Sequence, residues 1–420
     1  MNHSFRCIKE QTLSVREVAV LTEFYRERLK DSWEVHGAVL QGMTCLAQQP
    51  KYPGSAIIRL LPTLSHELHV QSLAVDSRLA CVKFFTQLFS KHSDWLNQVG
   101  PEFCNLVVQS FDGETDPRVL HNGFKLFTQL QAIGLPGDKN ENLWEEVLDV
   151  CACYFPVDFE PDNTDRITRE QLVDSLNAAL TSGIKSNRKI PKAKHSPVII
   201  DLLLEKLHSE SKLAICDSIT LLKVALPHLS REHLDARLTD LIQILVIIVG
   251  QRQEDEKAQK DVLNALQALA MSYKSHPEGA ERGLDYIYEL AGEFLSPPFK
   301  PALWTTVRVF AAWAASGVDV LNKCLPSLIQ GLQSPASTGE ALDSIVELAN
   351  ASQSTGSKNA TLDNVLLESI TNKSVSLQVR TLICLDYYFA WVTRISTICV
   401  KVRLLLYLYI FRPSCSRYQP

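Results

Sequence analysis

Residues 198–225, VIIDLLLEKLHSESKLAICDSITLLKVA, decide the fold. In Val198–His208 the apolar residues Ile199, Leu202, Leu203 and Leu207 recur at the three-and-four spacing that lines one face of a helix. Lys212–Ala225 repeats the pattern with Leu213, Ile215, Ile219, Leu222 and Val224, and Pro227 ends it. The two segments read as a helix pair.

The pattern continues outward. Arg231–Val249 pairs with Lys257–Tyr273, whose face carries Val262, Leu263, Leu266 and Leu269. Between them, Glu254-Asp255-Glu256 reads as a solvated turn and a helix start, because acids are favoured at a helix N-terminus. Later pairs are Glu281–Phe294 with Ala302–Ala315, Val318–Leu332 with Gly339–Asn350, and Leu362–Ile370 with Ser376–Phe389. In the last helix the Val379-Arg380 step resembles the HEAT pattern, with the apolar side inward and the basic residue on the ridge. Each pair with its turns takes roughly 35 to 45 residues, the period of HEAT and armadillo units.

One helix pair cannot bury its apolar faces, whereas stacked pairs share a continuous core. The chain is therefore predicted to be all-α, a HEAT/armadillo-like α-solenoid of stacked antiparallel helix pairs. Interruptions rich in Pro, Gly, Asn and Ser fall at Gln48–Gly54, Leu135–Asn140, Pro156–Thr168, Ser182–Ser196, Ser296–Pro301 and Ala351–Ala360. The expected division is a divergent N-terminal segment (1–22), a helical-repeat domain (23–280), further HEAT-like repeats (281–391) and an atypical apolar and basic tail (392–420). In that tail the apolar run Leu404–Phe411 follows Lys401 and Arg403 and is too short for a spanning helix, which needs about twenty residues. A solenoid should end in a polar capping repeat, so the tail reads as an unrelated terminus on a cut array.

Composition excludes several classes. With 46% hydrophobic residues in 420 the chain has ample apolar material for packing. Lys+Arg 42 against Asp+Glu 47 gives a net charge of −5, not the footprint of an electrostatic nucleic-acid binder. The start, MNHSFRCIKEQTLS, lacks a basic-then-apolar secretory signal, and eleven cysteines are scattered without a framework. Reduced, mostly buried thiols in the nucleus or cytoplasm are expected.

Candidate chemistry is sparse. His66-Glu67-Leu68-His69 spaces its histidines three apart where the metalloprotease zinc pattern has four, with no third ligand in sight, and reads as ordinary helix. Cys151 and Cys153 read as buried cysteines at a helix end. No phosphate loop, dinucleotide turn, nucleophile elbow or kinase set occurs, so no catalytic, cofactor or metal residue is assigned and the chain reads as a non-enzyme. The basic loop Gly183–His195, with Lys185, Arg188, Lys189, Lys192 and Lys194, reads first as a solvated loop between two helices; it is also the best local candidate for charge-driven binding, as a nuclear-import signal or a contact for an acidic partner.

Several local strings are more specific. Glu23–Asp31 (EFYRERLKD), Val39-Leu40-Gln41-Gly42, Glu67–Leu73 (ELHVQSL) with Asp76 and Arg78, Asp112–Arg118 (DGETDPR), Cys153–Phe159 (CYFPVDF) and Ile167–Leu180 follow one another in order. In that order they resemble the MMS-nineteen family, the HEAT-repeat adaptor of the cytosolic iron–sulfur assembly (CIA) targeting complex. Leu202–Leu207 and Ala214–Leu221 fit more loosely, and beyond about residue 230 only the repeat pattern carries the likeness. The resemblance implies a scaffold that helps deliver clusters to apoproteins such as DNA helicases and polymerases, and so supports genome integrity. Implied partners are the other CIA targeting-complex subunits and apo iron–sulfur proteins, with no direct nucleic acid, no membrane and no bound cofactor. By the resemblance the chain is expected to be truncated at both ends: the opening helices that should precede Glu23 are missing, and the family's C-terminal repeats, understood to dock those subunits, have no counterpart. The rival reading is a generic solenoid scaffold or importin-like transport receptor, which has no reason to contain these strings.

Overall fold

The computed structural model describes residues 13–354, apart from 100, 136, 138–139, 160–166, 253–254, 298, 301 and 333–336. The Leu362–Phe389 pair with its Val379-Arg380 step, and the 392–420 tail, lie outside the described residues. Among the described residues the regular structure is helical, with no strand. The chain divides into two compact units, Met1–Ser275 and His276–Pro420.

In the first unit the helices are α1 (Val15–Arg28), α2 (His36–Ala47), α3 (Ser55–Glu67), α4 (Val75–Val99), α5 (Pro101–Phe111), α6 (Pro117–Ile133) and α7 (Glu141–Ala152). They continue as α8 (Arg169–Lys185), α9 (Lys189–Leu207), α10 (Lys212–Ala225), α11 (Arg231–Ala236), α12 (Leu238–Gln251) and α13 (Glu256–Ser272). Two layers result. Helices α2, α4, α6, α8, α10 and α13 pack in succession as one layer, and α3, α5, α7, α9 and α12 as the other. Each helix also touches chain neighbours, for example α8 and α10 on α9, so the core runs between the layers. This is the expected all-α solenoid. In the second unit α14 (Pro277–Ala291) packs on α15 (Leu303–Trp313), and both α15 and α16 (Val320–Leu332) pack on α17 (Thr338–Ser354).

Local chemistry sets many of the helix starts. Ser14 opens α1 and Thr168 opens α8 with reciprocal capping boxes to Glu17 and Gln171. Asp116 caps α6, accepting from the Arg118 and Val119 N–H groups at 2.9 and 3.3 Å, with Pro117 at the first helical position. Asp255 caps α13 by accepting from Ala258 N at 3.0 Å, as the acidic turn led us to expect.

Three expectations need correction. The interruption at Ser182–Ser196 shrinks to Ser186–Arg188, because α8 runs to Lys185 and α9 starts at Lys189 rather than Val198. Pro191 lies in the first turn of α9, where an amide hydrogen would have no helical partner anyway. Pro197 sits inside the helix, kept there by buried His195, Ser196, Ile199 and Ile200 around it. Arg231–Val249 is not one helix: Arg237 leaves helical geometry (φ −115°, ψ 12°) and separates α11 from α12. Cys153 is exposed, whereas Cys151 is buried as expected.

Close helix approach depends on small residues. Phe111, at the end of α5, is fully buried and meets Phe127 of α6 edge-on, with ring centroids 5.3 Å apart. A Cβ on Gly123 of α6 would overlap that Phe111 ring. Alanine favours a helix interior by about 1 kcal/mol over glycine, but overpacking a closed core costs about 1–3 kcal/mol. Because Phe111 is pinned by Phe127, overpacking should win, and Gly123→Ala is expected to lower stability by about 1–2 kcal/mol in urea unfolding. A gain in stability would show that the ring can move aside.

Candidate functional site

Several of the strings quoted above lie at joints between helices, whereas Val39–Gly42 lies within α2 and most of Glu23–Asp31 within α1. Arg78 of α4 grips the Glu114 carboxylate with two N–H donors, Nε at 2.7 Å and Nη2 at 3.1 Å, and donates from Nη1 to the Leu73 carbonyl at 2.8 Å. One Glu114 oxygen also accepts from the N–H groups of Thr115 and Asp116, both at 2.8 Å. The Glu114 side chain is only 2% exposed, so four donors surround a buried charge. Next along the chain, the Asp116 carboxyl is held below the usual range. Burial pushes it up, but the Arg118 guanidinium and the two capping N–H groups outweigh that.

The CYFPVDF string makes the following joint. The Tyr154 hydroxyl donates to the Phe111 carbonyl at 2.7 Å, and burial pushes its pKa up to about 12. Val157 N donates to Asp217 of α10 at 3.2 Å, while Arg169 of α8 donates to the Val157 carbonyl at 3.0 Å and to Asp217 at 2.6 Å. The Asp217 side chain is 6% exposed. Thus the aromatic string is tied to two helices by one shared ion pair. These residues hold the array together and are turned away from solvent.

The five basic residues named from sequence do not form one loop. Lys185 ends α8, Arg188 precedes α9, and Lys189, Lys192 and Lys194 stand on its first turns. Lys194 is drawn onto α7, pairing with Glu145 at 2.7 Å and Glu141 at 3.7 Å. Arg188 lies over the left-handed Gly134 cap of α6 and donates to the Ile133 carbonyl at 3.3 Å. Lys185, Lys189 and Lys192 have no ion-pair partner among the described residues.

Sequence reading missed His228, in the turn after α10. Burial lowers its pKa first, and the charges of Lys185 and Lys192 lower it further, so all three groups share one neighbourhood. Nothing local in Leu226-Pro227-His228 signals this, because the lysines stand more than thirty positions upstream. Ser230 N donates to Ser196 Oγ of α9 at 3.0 Å and ties this turn to the same corner.

The other candidates fall apart geometrically. Helix α3 ends at Glu67, so His66 is on its last turn and His69 beyond it, and His66 meets only the Glu67 carboxylate at 3.1 Å. Burial pushes the Cys151 thiol up, away from the thiolate a metal needs, and the Cys104 thiol up to about 12. Among the described residues no group of three or more His, Cys, Asp or Glu is placed to hold a metal. No described helix is long and apolar enough to cross a membrane.

Residues 1–251 match the family described as Dos2-interacting transcription regulator of RNA-Pol-II, MMS19 N-terminal region. The chain belongs to the MMS19 family. It is 30% identical over 334 residues to the MMS19 nucleotide excision repair protein homolog of Xenopus laevis, covering 76% of this chain and 31% of that protein. The Danio rerio homolog is 34% identical over 211 residues, 49% of this chain and 19% of that one, and the Homo sapiens homolog 29% over 328 residues, 75% and 30%. The chain therefore spans about a third of the frog and human MMS19 relatives. Among solved structures, a mutant of Kap121p superposes with a TM-score of 0.51 at 14% identity, covering 97% of this chain and 41% of that one. That likeness shows a shared HEAT-type fold. The MMS19 match reaches beyond the quoted strings on both sides, from residue 1 to the end of α12.

Proposed function

We propose that this chain is a non-catalytic adaptor of the cytosolic iron–sulfur protein assembly machinery. It would bring that machinery to apoproteins of DNA replication, repair and transcription, working in the nucleus and cytoplasm. The observation that carries the reading is the MMS19-family match over residues 1–251, whose relatives are named for nucleotide excision repair. The joints support it: residues of the family strings, Arg78, Glu114, Tyr154 and Arg169 among them, link helix to helix rather than converge on a reaction centre. A stacked array of this kind offers partners a long outer surface, on which many modest contacts can select a client.

Affinity capture from cell extract with the full chain as bait, read by mass spectrometry, tests the proposal. Enrichment of iron–sulfur helicases or polymerases over a scrambled-surface control is expected. Capture of nuclear-transport cargo without any iron–sulfur protein would overturn it in favour of a transport receptor.

A further inference from the structure

The α8–α9 corner is a surface built of like charges. Residues 181–200 contain no acid, and the next one on α9, Asp201, is engaged by Arg237 at 3.0 Å. Lys189 and Lys192 stand three apart on α9 and so share a face. Lys185 and Lys189 are exposed and Lys192 is half-buried. Lys185 ends α8 four positions before Lys189 opens α9, and Ser230 N donates to Ser196 Oγ of α9 at 3.0 Å, which brings the end of α8, the first turns of α9 and the turn after α10 to one corner.

Elsewhere several cations of the chain are paired across helices, whereas the exposed Lys257, Lys260 and Lys274 are spread along and just after α13. Arg237 meets Asp201, Lys194 meets Glu145, and Lys323 meets Asp285 at 2.7 Å. Three lysines gathered without an ion-pair partner among the described residues repel one another, and a ligand bringing carboxylates relieves that repulsion.

We propose that Lys185, Lys189 and Lys192 form a docking site for an acidic peptide segment of a partner protein. That the partner is a client of the adaptor rests on the preceding reading; the docking chemistry does not. A protein segment fits better than nucleic acid for two reasons. The patch is short and closed on the α7 side by Glu141 and Glu145, whereas a phosphate backbone needs a continued basic track. The whole chain carries −5, which repels a polyanion beyond the corner but is tolerated by a short acidic stretch.

The test uses the full chain and a fluorescent peptide of consecutive Asp and Glu residues, with fluorescence anisotropy at low salt. The triple variant K185E/K189E/K192E is compared with K257E/K260E/K274E, which makes the same charge change at exposed lysines on and just after α13. Each surface pair is modest alone, so the corner variant should weaken binding about tenfold or more and the control less than about twofold. If reversal disturbs folding, judged by circular dichroism, the triple lysine-to-glutamine variant carries the comparison with the same expected ranking. Equal loss in both variants, or no peptide binding by the wild type, would overturn the site. So would single-stranded oligothymidylate binding the corner as tightly as the peptide, which would make it a nucleic-acid contact. Because no client is present, the result stands apart from the capture experiment. Corner variants that lose the peptide yet still capture iron–sulfur proteins would place client choice elsewhere on the array, and would overturn only the client assignment.

Discussion

Glu114→Ala is expected to destabilise the first unit by about 3–5 kcal/mol, the cost of stranding the partner of a buried ion pair. The substitution removes the acceptor for both Arg78 donors and for two backbone N–H groups at once, at a side chain 2% exposed. Neither Thr115 N nor Asp116 N is given another acceptor by the change, and an unmet buried donor is itself costly. The pair Arg237–Asp201 supplies the contrast, since its side chains are 48% and 58% exposed. There Asp201→Ala should cost less than about 1 kcal/mol, because water replaces the lost partner. Urea unfolding of the two variants decides the matter. Similar losses would mean that burial does not control the strength of these joints.

His195 gives the second large effect, and it depends on pH. The imidazole is fully buried on α9, its Nε2 donates to the Trp144 carbonyl at 2.8 Å, and its ring meets Trp144 at 5.9 Å. Burial pushes its pKa down to about 4, against the opposing pull of the Trp144 carbonyl and Glu145. In the unfolded chain the same group titrates near its ordinary value of about 6.5. As pH falls below that value the unfolded state takes up a proton that the folded state refuses, so stability is lost between about pH 6.5 and 4. Over that window the single group accounts for about 3 kcal/mol. His195→Gln keeps an amide donor for Trp144 and does not titrate. The stability difference between wild type and variant should therefore shrink or reverse by about that amount from pH 7 to pH 4. A difference that stays flat with pH would show that the folded protein admits the proton.

Sequence legibility followed locality. Lys212–Ala225 could be bounded to the residue because its apolar spacing, its Ser211 cap and the following Pro227 all lie within a few positions. The start of α9 could not. Pro191 and Pro197 signal a break, and only the packing of His195, Ser196 and Ile199 against other helices overrides it. The same division governs the site. Five cations in one short stretch were visible, but which of them are already paired depends on α6 and α7, some fifty positions away. The strings that mark the family were plain in sequence, whereas their chemistry was not. Glu114 and Asp217 look like ordinary surface acids until Arg78 and Arg169 are seen beside them.

The joints also say something about how the chain comes to be folded. Arg78 and Glu114 are 36 residues apart, Arg169 and Asp217 are 48 apart, and Asp235 and Tyr273 are 38 apart. Each bond is closed by a loop little longer than one repeat, so the entropy of loop closure stays nearly constant however many repeats are added. Low contact order of this kind favours rapid folding, and synthesis delivers the partners in order from the N-terminus. A repeat leaving the ribosome can thus be locked onto the one before it, and its apolar face stays uncovered only for the time needed to make the next repeat.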